Sequence, residues 1–573
     1  MKFAKVGKWS WLALLGFLLI LSYGWLALST VNLIKESRHD AHILVQERNA
    51  AGTKAFALSY QKTNGDLEKI SKDMQNPLWS VLFFTLGSHE TLTNMQRDLH
   101  AIQEIFQRLR PLANVTTQTV SNSDGINFHL LEVAAPYLES SSAAIKTLTT
   151  GIAQLHFHGL LTPFDSKLNR VRAEAKASAT LATVALPIVP EVHSLLGAQR
   201  SMNYLIAFQN PAESRATGGI LGAYAIASAS QGHVNITRIG SNLDLHSLDQ
   251  IPIPTPTEYQ NLYGNDPAIW QNSNLSPHFP YAAQIWSALW RIQSGQTLDG
   301  VITMDPEVLA ALLEVTGPIH INHEEINSQN VVQKTMSDAY IRFADNNLAR
   351  KQYLVSIVAE VLRKITHEKF SFAEFILAIE KPVMENRILI FSNDSKVETA
   401  LAKTQLAGVV EDNGFNVYRL AINNTAGNKM DYYLHRSISI KSLTCGSLPT
   451  TQVDYTVENT SSILMKLPPY VAGRLDLSLP KGLQNSSSIE GLLFGPAHSI
   501  LLSAKLVGQD DVVGSLGFER NHPVLVTQLE LKPGVPVHVQ AVFQGGIGAL
   551  QFFSQPLVHP IHESIVDHCT VTR

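Results

Sequence analysis

Hydrophobic positions recur along the chain with distinct periods, and each period predicts a different element. Between Leu92 and Leu109 the apolar residues Leu92, Met95, Leu99, Ile102, Phe106 and Leu109 alternate steps of three and four. A helix with 3.6 residues per turn brings such positions onto one face, so this is the seam of a packed helix. Ile145, Leu148, Ile152 and Leu155 repeat the pattern. Leu168, Val171, Ala175 and an Ala-rich run to Leu186, stopped by Pro187 and Pro190, predict a third long helix. With turns in the polar stretches 114–124 and 158–163, the prediction is an antiparallel helical bundle, or stalk, over residues 36–190.

The texture changes after Leu195. Residues 204–208 form a short apolar run suited to a buried strand, followed by an eleven-residue loop, 209–219, and strands near 220–228 and 234–239. Residues 299–304 read as another strand, leading into a helix with Asp305 as N-cap, Pro306 at its first position and Gly317-Pro318 as its stop. Ile319–Ile321 then completes a β–α–β unit, and residues 338–352 open a helix continuing to Lys364. This predicts an α/β domain over 191–412. Beyond Gly414 the period is two: Val453, Tyr455 and Val457 alternate with polar neighbours, as do Val537, Val539 and Ala541. Strands at this spacing, with no helical pattern, predict a β-sandwich of the immunoglobulin-like kind over 413–573. The fold class expected is multidomain α+β.

The N-terminus adds a location. Lys2, Lys5 and Lys8 precede an uncharged stretch from Trp9 to Ile34, longer than the ~20 residues needed to cross a bilayer. Residues 1–8 are expected as a cytoplasmic tail, 9–34 as a single transmembrane helix, and the bulk of the chain outside the cell membrane. A cleaved signal peptide has a shorter apolar region and a small-x-small site, for which Ala27-Leu28-Ser29 is a weak candidate.

Composition narrows the function classes. The 573 residues are 45% hydrophobic and 16% charged, with 44 Lys+Arg against 48 Asp+Glu and a net charge of −4. No basic excess points to a nucleic-acid partner. Two cysteines exclude a disulfide-dense scaffold and a Cys-rich metal site; in an extracytoplasmic sandwich Cys445 and Cys569 are expected to pair, with free buried thiols as the alternative.

Candidate chemistry concentrates in the α/β region. The 209–219 loop holds Glu213, Arg215, Gly218 and Gly219, and glycine-opened amides with an arginine suit an anion. Equally, Glu213 and Arg215 can pair and pin the loop. Asn272, Asn274 and His278 either line a ligand site or bond within their own loop. Arg342, Arg350 and Lys351 concentrate positive charge on what is ordinarily a solvated helix face. His156/His158 and the tail histidines 559, 562 and 568 lack the spacing of a zinc enzyme, and Ser478-Leu-Pro-Lys481 lacks the partner motifs of an acyltransferase serine.

The phrases at 204–219, 272–280 and 299–318 resemble the bacterial family catalogued as domain of unknown function 4012, which implies no established activity. In the order of its elements, the α/β region resembles the LytR–CpsA–Psr family. Those outward-facing membrane proteins move glycopolymers from a polyprenyl pyrophosphate carrier onto peptidoglycan. Arg215-Ala-Thr-Gly stands where that family has Arg-Ser-Asp-Thr, and Tyr340-Ile-Arg342, Asp345 and Arg350-Lys-Gln352 resemble its later arginine phrases. The resemblance implies that Arg215, Arg342 and Arg350 hold a pyrophosphate, with Glu213, Asp244 or Asp345 near a magnesium ion. The family's second arginine–aspartate phrase falls near Ile239–Asp244 without its arginine, and the first phrase's aspartate is Thr217 here. Two expectations follow. One is a phosphotransferase-like glycopolymer ligase, intact or degenerate, with Arg215, Glu213 and Asp244 as catalytic candidates, and Arg342, Arg350, Asn272 and Asn274 binding substrate. The other is a non-catalytic scaffold engaging envelope proteins through the stalk and sandwich.

Overall fold

The computed structural model describes residues 52–87, 89–113, 187–344, 346–368, 372–476, 484–508 and 514–569, with a few positions between 121 and 151. The expected membrane span, most of the bundle's second half, Asp345 and Ser478/Lys481 lie outside the described residues. Among the described residues no helix is long and apolar enough to cross a membrane. The chain divides into two compact units.

In the N-terminal unit, helices α1 (Gly52–Met74), α2 (Pro77–Thr85) and α3 (His89–Ala113) follow one another. The amide of Gln96 bonds Met74 O and that of Gln103 bonds Leu67 O, so α1 and α3 run antiparallel. Leu67, Ile70 and Met74 pack on Leu92, Leu99 and Ile102, so the predicted seam faces the core over its described part, Leu92, Met95, Leu99 and Ile102.

The second unit contains residues 191–573, so the expected α/β and sandwich regions share one body. Its first sheet is built from β1 (Met202–Arg215), β2 (Gly218–Ser230), β3 (His233–Ser241), β4 (Gly300–Met304) and β5 (Leu389–Ser392), in the order β3-β2-β1-β4-β5. Only the β1–β4 pair is parallel. One face of the sheet, through Leu205, Ala207 and Tyr224, packs on helix α4 (Phe279–Ser294) with its buried Trp286 and Trp290. The other face meets helices α5 (Pro306–Thr316) and α6 (Asn347–His367), while α7 (Phe372–Met384) packs on α5. Asp305 caps α5 as expected, accepting from the amides of Glu307 and Val308.

Three expectations are corrected. The 209–219 segment is not a loop: β1 and β2 continue as one long hairpin that turns only at Ala216-Thr217. Its register jumps between Asn210 and Ser214, leaving Pro211, Ala212 and Glu213 as a bulge. Gly219 permits this, because a Cβ there would lie 2.1 Å from the Asn210 carbonyl carbon. Ile319–Ile321 does not return to the sheet but pairs with Glu324–Ile326. Asn322 and His323, at φ of 48° and 67°, make the tight turn between them. The helix expected from 338 to 364 is broken: Ala339–Arg342 ends at Phe343, and α6 restarts with the Asn346 side chain capping Ala349 N.

The C-terminal half is a sandwich of two five-stranded sheets. In chain order the strands are β6 (Phe415–Asn424), β7 (Leu434–Thr444), β8 (Thr450–Asn459), β9 (Ser487–Phe494), β10 (Ile500–Leu506), β11 (Ser515–Glu519), β12 (His522–Leu531), β13 (Val537–Gln544), β14 (Ile547–Ser554) and β15 (His562–Val566). The sheets are ordered β11-β12-β9-β6-β14 and β10-β13-β8-β7-β15. Tyr418, Ile489 and Leu529 of the first sheet meet Val453, Tyr455 and Phe543 of the second in a common core. The outer face of the first sheet is buried too: Ala421, Leu492, Phe494 and Val524 join the core around α4. This is why β6 is buried at nearly every position, continuously from Leu420 to Asn424, rather than at alternate ones. Cys445 and Cys569 form the expected disulfide, with Cα atoms 5.5 Å apart across 124 residues of sequence.

Candidate functional site

The tip of the β1–β2 hairpin is driven into the first sandwich sheet. Ser214 donates its amide and hydroxyl to Asp431 Oδ2 (2.8 and 2.6 Å), Ala216 N donates to Asn423 Oδ1, and Gln555 Nε2 donates to Arg215 O. Arg215 is buried, and its five N–H groups are all taken. Nε and Nη2 donate to Asn272 Oδ1, Nη1 to the carbonyls of Ser214 and Asn424, and Nη2 to Glu213 Oε1 at 3.3 Å. The pairing of Glu213 with Arg215 is thus present, and it pins the tip rather than leaving the guanidinium open to a ligand.

Glu213 Oε2 meets a residue that sequence reasoning missed, Lys429, which bonds it from 216 residues away. Burial alone would raise the Glu213 pKa, but Lys429 and Arg215 beside it hold the carboxyl below its usual range. Burial disfavours the Lys429 ammonium in turn, yet Glu213 and the rings of Tyr340 and Tyr470 keep its pKa raised. Those rings stack 6.0 Å apart, and the Arg350 guanidinium lies 3.6 Å from the Tyr470 centroid. Arg350 is fully buried rather than solvated, and its Nε has no hydrogen-bond partner. Lys351, one residue on, makes a single 3.4 Å contact with Gly222 O, and burial together with Lys429 and Arg350 pushes its pKa down to about 7. The cluster therefore joins Arg215, Lys429, Arg350 and Lys351 to two carboxylates, Glu213 and Asp431. Burial raises the pKa of Asp431, which favours its neutral form.

An apolar pocket opens beside Lys351. It lies between Phe208 and Ala223 of the sheet, Pro306 and Leu309 of α5, and Leu354, Val355 and Val358 of α6; its polar lining is Lys351, Tyr340, Asn210, Gln209, Thr335 and Asp305, the last ion-paired with Arg387. The cavity it encloses is small, about 50 Å³, and it opens to solvent. An apolar cleft with a few convergent polar groups is the usual form of a small-molecule site.

The remaining sequence candidates lie elsewhere. Asn274 donates to Gln209 Oε1, Thr217 Oγ1 and Gly219 O, fastening the hairpin. His278 is buried and accepts from Val410 N. Arg342 is half-exposed and paired with Glu324 at 2.9 Å, in a separate surface group with Lys334 and Asp338. Asp244 closes a capping box with Ser241, beside Tyr224 on the α4 side of the sheet. These positions do not fit a magnesium site: both Glu213 oxygens hold cations, Asp244 is committed to its own turn, and Asp345 is outside the described residues. Among the described residues no three His, Cys, Asp or Glu side chains gather as metal ligands.

Lys429 carried no sequence signal, because its partners are distant in the chain. Lys351 stood inside the charged run, but only the fold shows that run turned inward. The chain matches none of the curated proteins and none of the solved structures with which it was compared. Residues 199–340, which carry the hairpin tip, Asn272, Asn274 and one wall of the pocket, match the family model described as Protein of unknown function (DUF4012).

Proposed function

We propose that this is a membrane-anchored, extracytoplasmic cell-envelope protein whose second unit binds a lipid-linked phosphate, of the class of a polyprenyl-pyrophosphate-linked glycopolymer. The observation that carries the reading is Lys351, a largely buried cation with one long hydrogen bond that lines an apolar pocket, with the cations Lys429 and Arg350 close behind it. Uncompensated buried charge is strongly unfavourable, so an anionic group that supplies the missing charge would be bound tightly there. The aliphatic side chains of α5 and α6 suit a hydrocarbon tail, and Lys351 suits the head, with the charges of Lys429 and Arg350 acting from behind the pocket lining. The resemblance to the LytR–CpsA–Psr family supplies the carrier class by analogy. The pocket-lining cation differs from those the resemblance implies: Arg215 is saturated, Arg342 is apart, and Arg350 lies outside the pocket lining. Because the magnesium donors do not converge, the reading is binding of the carrier, with no transfer step assigned to these residues.

The test uses the full chain in lipid nanodiscs, titrated with farnesyl pyrophosphate, with inorganic pyrophosphate and with farnesol. Binding of the complete amphiphile at least tenfold tighter than of either half is expected, and Lys351→Met should weaken it by about tenfold or more, some 1.4 kcal/mol. Equal affinity of wild type and K351M, or no preference for the joined head and tail, would overturn the reading.

A further inference from the structure

We propose that residues 462–465, in the connection after β8, form a docking tip that inserts into the surface of the lipid bilayer near the wall of the pocket. Ile463, Leu464 and Met465 are consecutive and exposed, at 54%, 86% and 38%. They are held outward by hydrogen bonds rather than left loose. Asn485 Nδ2 donates to the carbonyls of Ser462 and Met465, Met465 N donates to Ser462 O, and Leu464 N donates to Ser462 Oγ. A soluble surface hides such a run; a fixed apolar tip is the form that enters lipid.

Charge selects the occupant. From Thr460 to Gly473 the segment has no carboxylate, and Lys466 is its one cation, suited to phosphate headgroups above an inserted apolar tip. The same segment carries Tyr470, which stacks on Tyr340, and Tyr340 also lines the apolar pocket. Leu467, Val471 and Ala472 pack in one cluster with Tyr340, so tip and pocket wall are one structural piece. The 26 uncharged residues from Trp9 to Ile34 supply a reason for a bilayer to be near. The inference deepens the lipid-carrier reading: a tip in the outer leaflet places the pocket where such a carrier resides.

Both native cysteines are in the disulfide, so an introduced cysteine is a unique labelling site. L464C and I500C, each carrying an NBD fluorophore, are compared in the full chain reconstituted into phosphatidylcholine/phosphatidylglycerol vesicles containing doxyl-labelled phosphatidylcholine. Ile500 is also exposed, and its register with Gln544 and Thr450 places it at the sandwich end remote from Asn459 and the tip. Quenching at 464 at least threefold that at 500 is expected. Equal quenching overturns the proposal, as does an NBD blue shift at 464 without quenching, which would mean that protein, including a second copy of the chain, covers the tip. Farnesyl pyrophosphate titration of the same samples separates the two ideas: binding retained without quenching leaves the pocket reading standing and removes the docking tip, and quenching without binding does the reverse.

Discussion

Arg215 and Lys351 are cations of one buried cluster, and their surroundings ask opposite things of them. Every Arg215 N–H has a protein acceptor, so its charge is part of the architecture. Lys351 has one long contact and a pKa lowered to about 7, so its charge is carried at the expense of folding. The folded chain releases the Lys351 proton near pH 7, whereas an unfolded chain holds it to about 10.4. Between those values the unfolded state binds more protons, and stability should rise with pH across that window. Below pH 7 both states are protonated and the full penalty applies. Lys351→Met should therefore be more stable than wild type at pH 6, by on the order of 2–4 kcal/mol after allowance for its partial exposure, with the difference closing toward pH 10.5. Urea unfolding at a series of pH values measures this. A K351M protein less stable than wild type at pH 6 would make the ammonium a structural partner instead of a group kept for a ligand.

The elements show where pattern reading succeeds and where it stops. Asp305-Pro306 was legible as a helix start because a cap is a local bargain between neighbouring side chains and amides. The sandwich strands were legible because alternation is also local. The 209–219 segment was not, because its proline and glycines are what a loop uses, and they are also what a bulge uses. What decides between them is the sandwich, which supplies Asp431, Asn423, Asn424 and Gln555 to the hairpin tip from more than 200 residues away. The charged run at 342–351 failed similarly: a broken helix sends Arg342 to the surface and Arg350 inside, a split no periodicity records. The bulge makes its own prediction. A Cβ at Gly219 meets backbone of Asn210 and Pro211 at 2.1–2.4 Å, whereas at Gly222 it meets nothing closer than 3.9 Å. Gly219→Ala should cost more than about 2 kcal/mol, and Gly222→Ala less than about 0.5. Equal thermal shifts for the two variants would show that the bulge relaxes freely.

At the scale of the molecule, the sheet with its helices and the sandwich behave as one body because the first sandwich sheet is buried on both faces. Ala421, Leu492 and Phe494 belong to the core around Trp270, Trp286 and Trp290. Glu519, at the end of β11, accepts from Tyr263 and Ser276 across the same boundary, and the hairpin tip is stitched in beside it by Arg215 and Asp431. Separating the layers would strand these polar groups and expose a face that is already apolar, so partial opening is disfavoured and unfolding should be concerted. The disulfide offers a lever at one end of this body. It closes a loop of 124 residues, and in the chain-entropy picture its loss destabilises the folded state by about 3–5 kcal/mol. Cys445→Ser/Cys569→Ser changes nothing near the tryptophans of the α4 core, yet in a concerted unit their fluorescence transition in urea should shift by that full amount, together with the β signal in circular dichroism. A tryptophan transition left in place while the β signal moves would mean that the sandwich melts alone, and the charged cluster, which draws Lys429 and Tyr470 from it, would then be a joint between separable parts.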